Sequence, residues 1–268
     1  VGSGLGRDIA AAAVNRGDTV YGVLRRDPSS FEALGPGRAI ACVADVREPE
    51  AVRAAVARAE KEAGAIDILV NNAGRVLRSY VEDAKPQSVR DLFETNLIGV
   101  LNCLQAALPG MRARGAGKIF NMSSGAGIAG LASLGIYNAT KFALEGLSEA
   151  LALEVGGLGI QVVTVEPGAF RTNLQVTSID HLASEITDYE ATAGEFRAYL
   201  DSKSGKEEGD PAKFAEAFLR LVDHENPPQR VALGDGGLAL LQNKAALLAQ
   251  EAEFSAKFVE GFSFDVVE

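Results

Sequence analysis

Six short apolar runs set the limits on how this chain can fold: Thr19–Leu24, Ala39–Ala44, Ile66–Val70, Ile119–Met122, Gln161–Val165 and Arg230–Leu233. Between them lie helical stretches, among them the amphipathic Pro49–Ala63, the long Pro86–Arg114 and Phe142–Val155. An apolar run of this length suits a strand covered on both faces. Strands that alternate with helices pair in parallel, because each return crossing uses a helix. The expected fold is α/β, a doubly wound parallel sheet with helices on both faces. A chain of 268 residues, 47% hydrophobic, suits a single domain over 1–268 with a full core. Residues 173–210 are polar with scattered apolar positions. They read as a lid over a substrate pocket or as a variable surface insertion.

Charge and cysteine usage narrow the function classes. Acids outnumber bases, 36 to 26, for a net charge of -10, which argues against nucleic acid as a partner. No apolar run reaches membrane-spanning length, and no secretory leader is visible. Cys42 and Cys103 sit in apolar settings and read as buried free thiols of a reducing cytosol. A cytoplasmic location is expected. His181 and His224 lack metal-ligand spacing; both read as surface residues, and no metal site is expected.

Open parallel sheets bind ligands beyond the carboxyl ends of their strands, so the residues leaving each run carry the chemistry. Residues 1–7, VGSGLGR, form a Gly-rich loop at a helix start. Such a loop either cradles a pyrophosphate on free backbone N–H groups or is an ordinary cap. Arg25 is the first residue beyond the next run, where an arginine accommodates the 2′-phosphate of NADP and an acid would hold the ribose of NAD. Asp45 leaves the following run, as a turn residue or an acceptor for an adenine amino group. Asn71-Asn72-Ala73-Gly74 leaves the next; its paired amides either pin neighbouring strand ends or make a turn. Arg75 and Arg78 follow as surface arginines or as contacts for a phosphate or an acidic substrate. Asn96, inside an apolar helical run, must find partners, either as a structural bracket or in a proton path.

The stretch Lys118–Lys141 brings reactive groups together. A strand ends at Ser123-Ser124-Gly125, a Gly/Ala-rich loop follows, and a helix begins near Tyr137. Tyr137 and Lys141 are four apart and share one helix face. An ammonium beside a phenol favours the phenolate and brings a group that titrates near pH ~10 toward working pH. Ser124 lies at the strand end, where it can meet both. After the next strand, Glu166-Pro167-Gly168 turns the chain and Thr172 follows with a hydroxyl.

Taken together, these strand-end motifs resemble the classical short-chain dehydrogenase/reductase family, over roughly Val1 to Leu233. The asparagine pair with Ala73-Gly74, Tyr137-x-x-x-Lys141 and Ser124 carry the likeness. The resemblance implies a Rossmann-like sheet ordered 3-2-1-4-5-6-7 and an NAD(P)-dependent oxidoreductase acting on a carbonyl/alcohol pair. It implies that Tyr137 is the acid/base, Lys141 lowers its pKa, Ser124 orients the substrate oxygen and Asn96 anchors a water beside Lys141. It places Ser3, Gly4, Leu5 and Gly6 at the pyrophosphate, Arg25 at the 2′-phosphate, and Asp45 and Val46 at adenine. Asn72, Ala73 and Gly74 form the cofactor floor, Tyr137 and Lys141 meet the nicotinamide ribose, and Pro167, Gly168 and Thr172 lie on the nicotinamide side. NADP(H) is favoured over NAD(H), and a homodimer or homotetramer is implied, with the long helices near 90–113 and 137–155 as interfaces.

The family has a strand and Thr-Gly ahead of the point where this sequence opens. The sequence is therefore expected to be a piece of a longer polypeptide, with strand 1 lying outside it. The expected reaction is carbonyl reduction or its reverse on a fairly apolar small molecule. Pocket candidates are Val76, Leu77, Tyr80, Ile128, Leu131, Leu134, Phe170, Leu174, Tyr189 and Phe196. The alternatives are a non-catalytic NADP-binding regulator, or an epimerase or dehydratase that keeps its cofactor bound.

Overall fold

A computed structural model describes residues 1–35, 38–172, 179–181 and 186–259. Its strands are β1 (Val20–Leu24), β2 (Ala39–Val43), β3 (Ile68–Asn71), β4 (Val76–Arg78), β5 (Gly117–Met122), β6 (Ile160–Pro167), β7 (Ile179–His181) and β8 (Arg230–Leu233). The helices are α1 (Gly4–Arg16), α2 (Ser29–Glu32), α3 (Pro49–Ala63), α4 (Pro86–Phe93), α5 (Gly99–Arg114), α6 (Gly135–Val155), α7 (Glu195–Lys203), α8 (Pro211–Asp223) and α9 (Asp235–Ala256). Each of the six apolar runs forms a strand, with ends shifted by a residue or two.

β1 pairs with β2, and β3, β5, β6 and β8 pair in that order, all in parallel. Numbered as the resemblance numbers them, these are strands 3-2 and 4-5-6-7. Among the described residues no strand takes position 1, and the sheet is in two pieces there. One feature departs from the single expected sheet: β4 and β7 pair in parallel as a separate ribbon. Three residues containing an arginine carry no strand-length apolar signal, so β4 was invisible to pattern reading.

Both faces of the main sheet are buried, and the pleat divides the core. Phe120 and Met122 of β5, with Val163 and Val165 of β6, face Ile9 of α1 and Phe214 and Phe218 of α8. Ile119, Ile160 and Val162 point the other way, onto Val100 and Leu104 of α5 and Leu144 and Leu151 of α6. The register sets Phe120 beside Val163 and Met122 beside Val165. Phe120 also meets Phe218 edge-on, with ring centroids 5.1 Å apart.

Pro86–Arg114 is not one regular helix. α4 and α5 are joined by a wider π turn over Glu94–Ile98. The extra residue in such a turn re-aims a side chain, and here fully buried Asn96 reaches the backbone of Arg75. On α9, Leu247, Leu248 and Phe254 are exposed, and only Gly237 is buried. Its first turn packs backbone on backbone, since a Cβ at Gly237 would sit 2.8 Å from the Glu166 carbonyl oxygen. No helix among the described residues is long and apolar enough to cross a membrane.

Phe120→Ala should cost about 3–5 kcal/mol through lost burial and the cavity left behind. The check is urea unfolding, with a lower midpoint at unchanged slope.

Candidate active site

The strand ends open on one cavity of roughly 570 Å³. Ser3, Gly4, Leu5, Arg25, Asp45, Val46, Asn72, Ala73, Gly74, Ser124, Tyr137, Lys141, Pro167, Gly168 and Thr172 all line it. Gly6 and Asn96 do not. Gly6 lies behind, where a Cβ would run into the Asn72 amide, so it serves close packing of α1. Asn96 is a bracket: its Oδ1 accepts from Arg75 N at 2.8 Å, and its Nδ2 donates to Arg75 O at 2.9 Å and Thr140 Oγ1 at 3.1 Å.

At one end of the cavity α1 begins. Gly4 sits at φ 61°, a conformation that favours glycine, and Ser3 makes no side-chain cap. The helix therefore starts with uncapped amides and the positive end of its dipole beside the cavity, a donor set that fits a pyrophosphate. Gly4 faces the loop after β6, since a Cβ there would lie 3.8 Å from Thr172 Cβ. Arg25, Arg26 and Arg47 line the cavity where β1 and β2 end. Asp45 is bound by Arg47, with Oδ2 to Nη2 at 2.7 Å, and this pairing holds its carboxyl below the usual range.

At the other end, Ser124, Tyr137 and Lys141 come together. Ser124 Oγ accepts from Ala126 N at 3.2 Å, and its hydroxyl acts on the Tyr137 phenol. Lys141 Nζ donates to Met122 O at 2.8 Å and lies 5.9 Å from the centre of the Tyr137 ring. Burial pushes the phenol up, and the Ser124 hydroxyl opposes that rise. Burial also lowers Lys141 to about 8, while Glu145 works to raise it. The protein alone thus keeps the phenol neutral and brings the Lys141 ammonium within about a unit of neutral pH, where a change of charge nearby can move a proton between states.

A family model described as short chain dehydrogenase matches residues 1–183. This chain belongs to the short-chain dehydrogenase family. It is 38% identical over 235 residues to 3-ketodihydrosphingosine reductase of Bacteroides thetaiotaomicron, covering 87% of this chain and 84% of that protein. A short-chain dehydrogenase from Streptomyces avermitilis superposes with a TM-score of 0.87 at 39% identity, covering 96% and 94% of the two chains. A gluconate 5-dehydrogenase from Burkholderia cenocepacia, in complex with NADP and tartrate, superposes at 0.72 with 29% identity, covering 89% and 92%. The chain is accordingly an NAD(P)-dependent dehydrogenase or reductase.

In this short-chain dehydrogenase, buried amides hold the reactive ends still. Asn71 Nδ2 donates to Asn121 Oδ1 at 2.8 Å, and Asn121 Nδ2 to Ser148 Oγ at 2.8 Å, which ties β3 to β5 and β5 to α6. Asn138 Nδ2 donates to Ala126 O at 2.7 Å and Ala129 O at 2.8 Å, and its Oδ1 accepts from Leu131 N at 3.1 Å. That single side chain shapes the loop between Ser124 and Tyr137. Sequence reasoning gave no role to Asn138, Thr140, Ser148 or Arg47; for the three on α6 the signal available was polar residues on a helix face otherwise given to the core, whereas Arg47 sits in the turn after β2.

The two further arginines separate. Arg75 lines the cavity. Arg78 is buried and pairs with Asp201. Of the pocket candidates, Val76 and Phe170 line the main cavity. Tyr80, Leu131 and Tyr189 line a second one of roughly 240 Å³. Leu77 and Leu134 are core, packed with Tyr137, and Phe196 rests against that cluster. Ile128 is buried away from both cavities. Leu174 lies outside the described residues. Among those residues no cluster of His, Cys, Asp or Glu forms a metal site. Both cysteines are free, and burial raises Cys103 to about 11.

A lysine with a folded pKa near 8 against 10.5 unfolded weakens the fold below pH 8, and this cost fades between those values. Relative to the native chain, Lys141→Met should therefore gain stability at neutral pH and lose that advantage above 10.5. Urea unfolding of both proteins at the two pH values checks this.

Proposed function

We propose that this chain is an NADP(H)-dependent carbonyl reductase, and in reverse a secondary alcohol dehydrogenase, with Tyr137 as the acid/base. The observation that carries this is one cavity with the Ser124, Tyr137 and Lys141 side chains at one end and Arg25, Arg26 and Arg47 at the other. The α1 amides at Ser3–Gly6 hold the pyrophosphate, and the guanidiniums hold the 2′-phosphate. Asp45 and Val46 border the adenine. Asn72, Ala73 and Gly74 form the floor, and Pro167, Gly168 and Thr172 close the nicotinamide side.

When bound, the nicotinamide supplies the hydride. Ser124 then holds the substrate oxygen and Tyr137 gives it a proton as negative charge develops there. The Lys141 ammonium stabilises the phenolate that remains. Asn96 keeps the Arg75 backbone and Thr140 in register behind this group. Val76 and Phe170 supply apolar walls, which favours a ketone with an apolar arm; the 3-keto group in the name of the relative at 38% identity supports the same class. Within the 173–210 stretch, α7 acts as part of the lid of a single domain, with Phe196 and Leu200 resting on the cluster that contains Tyr137; residues 173–178 and 182–185 lie outside the described residues. Phe142 and Leu153, exposed on α6, mark the contact of a homo-oligomer working in the cytoplasm.

Tyr137→Phe should cut NADPH-dependent ketone reduction by ~10²-fold or more, the usual weight of a general acid, with NADPH affinity nearly unchanged. Substantial residual turnover would remove Tyr137 from the mechanism. Arg25→Glu should weaken NADPH binding by roughly 10–100-fold, the size of a lost charge-assisted hydrogen bond, and leave NADH binding less affected. Titration of each cofactor by fluorescence reads both.

A further inference from the structure

Behind Lys141, on the side away from the cavity, two buried carboxyl groups meet. Glu145 lies one helical turn beyond Lys141 on α6 and is 6% exposed. Glu166 ends the apolar part of β6 and is 0% exposed. One guanidinium serves both. Arg230 of β8 donates to Glu145 Oε2 from Nη2 at 3.1 Å and from Nε at 3.2 Å. The same Nε lies 2.9 Å from Glu166 Oε1, but its hydrogen is directed at Glu145. Neither oxygen of Glu166 has a hydrogen-bonding partner among the described residues, nor do Glu145 Oε1 and Ser123 Oγ. Ser123 Oγ and Glu145 Oε1 converge on Gly127, where a Cβ would crowd both.

Two buried carboxylates facing one arginine carry a surplus negative charge and several acceptors without donors, which is costly in a core. One added proton removes the surplus and supplies a donor between the acids. We propose that Glu145 and Glu166 share one proton and form with Arg230 a neutral cluster whose remaining carboxylate charge supports the ammonium state of Lys141. These are positioning residues: they touch neither substrate nor cofactor and act through Lys141. The charged groups acting on the pair are Arg230 on β8 and Lys141 on α6; the Ser123 hydroxyl faces it from the end of β5. Burial drives both acids up, Glu166 to about 8 with the Glu145 charge adding to it. Both Arg230 N–H groups go to Glu145 Oε2 while neither Glu166 oxygen has a donor among the described residues, so the charge rests on Glu145 and the proton on the Glu166 side. It stays there through turnover, so no step of the reaction consumes it. Arg230, 44% exposed, joins the cluster to solvent.

The effect on Lys141 rests on the acid/base reading above, but the shared proton can be tested without any turnover. A carboxyl that holds its proton in the fold stabilises it fully below the unfolded value of 4.5, and that support drains away as pH rises to about 8. The unfolding midpoint of the native chain should carry this downward slope, and Glu166→Gln, which mimics the neutral acid, should lose it. Infrared spectra of the native chain supply a second measurement: a neutral carboxylic acid band at neutral pH, lost above about 8. For activity, Glu145→Gln should move the alkaline fall in kcat to lower pH by about one unit, the scale of one nearby opposite charge. An identical stability slope in Glu166→Gln, or a native spectrum without the acid band, overturns the shared proton. An unmoved alkaline limb in Glu145→Gln overturns the link to Lys141. Absence of any NADPH-linked turnover instead strikes the reductase reading and leaves the stability slope in place.

Discussion

The hydrogen bond from Lys141 Nζ to the Met122 carbonyl, 2.8 Å long, ties the functional helix to the central strand. It buries an ammonium, which is costly unless a strong acceptor receives it. The end of β5 supplies that acceptor because the strand ladder stops there and the chain turns at Ser123-Ser124. Helix α6 can then sit in one rotation only, with Tyr137 and Lys141 toward the cavity and Leu144 and Leu151 toward the sheet. A different rotation would expose the leucines and strand the ammonium.

Amide brackets make that placement rigid. Asn71, Asn121 and Ser148 run in one hydrogen-bonded line across β3, β5 and α6, and Asn138 gathers the loop before α6. Buried side-chain amides of this kind specify geometry more than they add stability, since each must be satisfied wherever it is placed. The energy comes from the two apolar faces of the sheet, where Phe120 and Ile119 alternate sides.

The cavity runs against the charge of the molecule. A chain of net charge -10 gathers Arg25, Arg26 and Arg47 where β1 and β2 end, with Asp45 partly offsetting them. Low-dielectric walls focus that local field, so an acidic protein can still receive an anionic ligand. At the opposite end, burial holds Lys141 near 8 and raises the phenol of Tyr137, leaving a group of side chains whose protonation responds to small changes around it.

The sequence by itself determined the six strands of the main layer, their parallel pairing and the set of residues at their ends. Short continuous apolar runs and a four-residue Tyr–Lys spacing are local properties, and they survive folding unchanged. Arg25 and the Gly-rich loop were readable for the same reason. Tertiary structure decided what depends on separation through space. Glu145 and Glu166 are 21 residues apart and Arg230 is 64 further on, so no window of sequence reveals that they meet. The same holds for Arg47 joining the arginines of β1, for Asn138 reaching back to Ala126, and for the π turn that aims Asn96. Pattern reading takes most polar residues on a helix as solvated, Asn96 in its apolar run being the exception. Only the packed sheet shows which of them are turned inward, where each must find a partner or a proton.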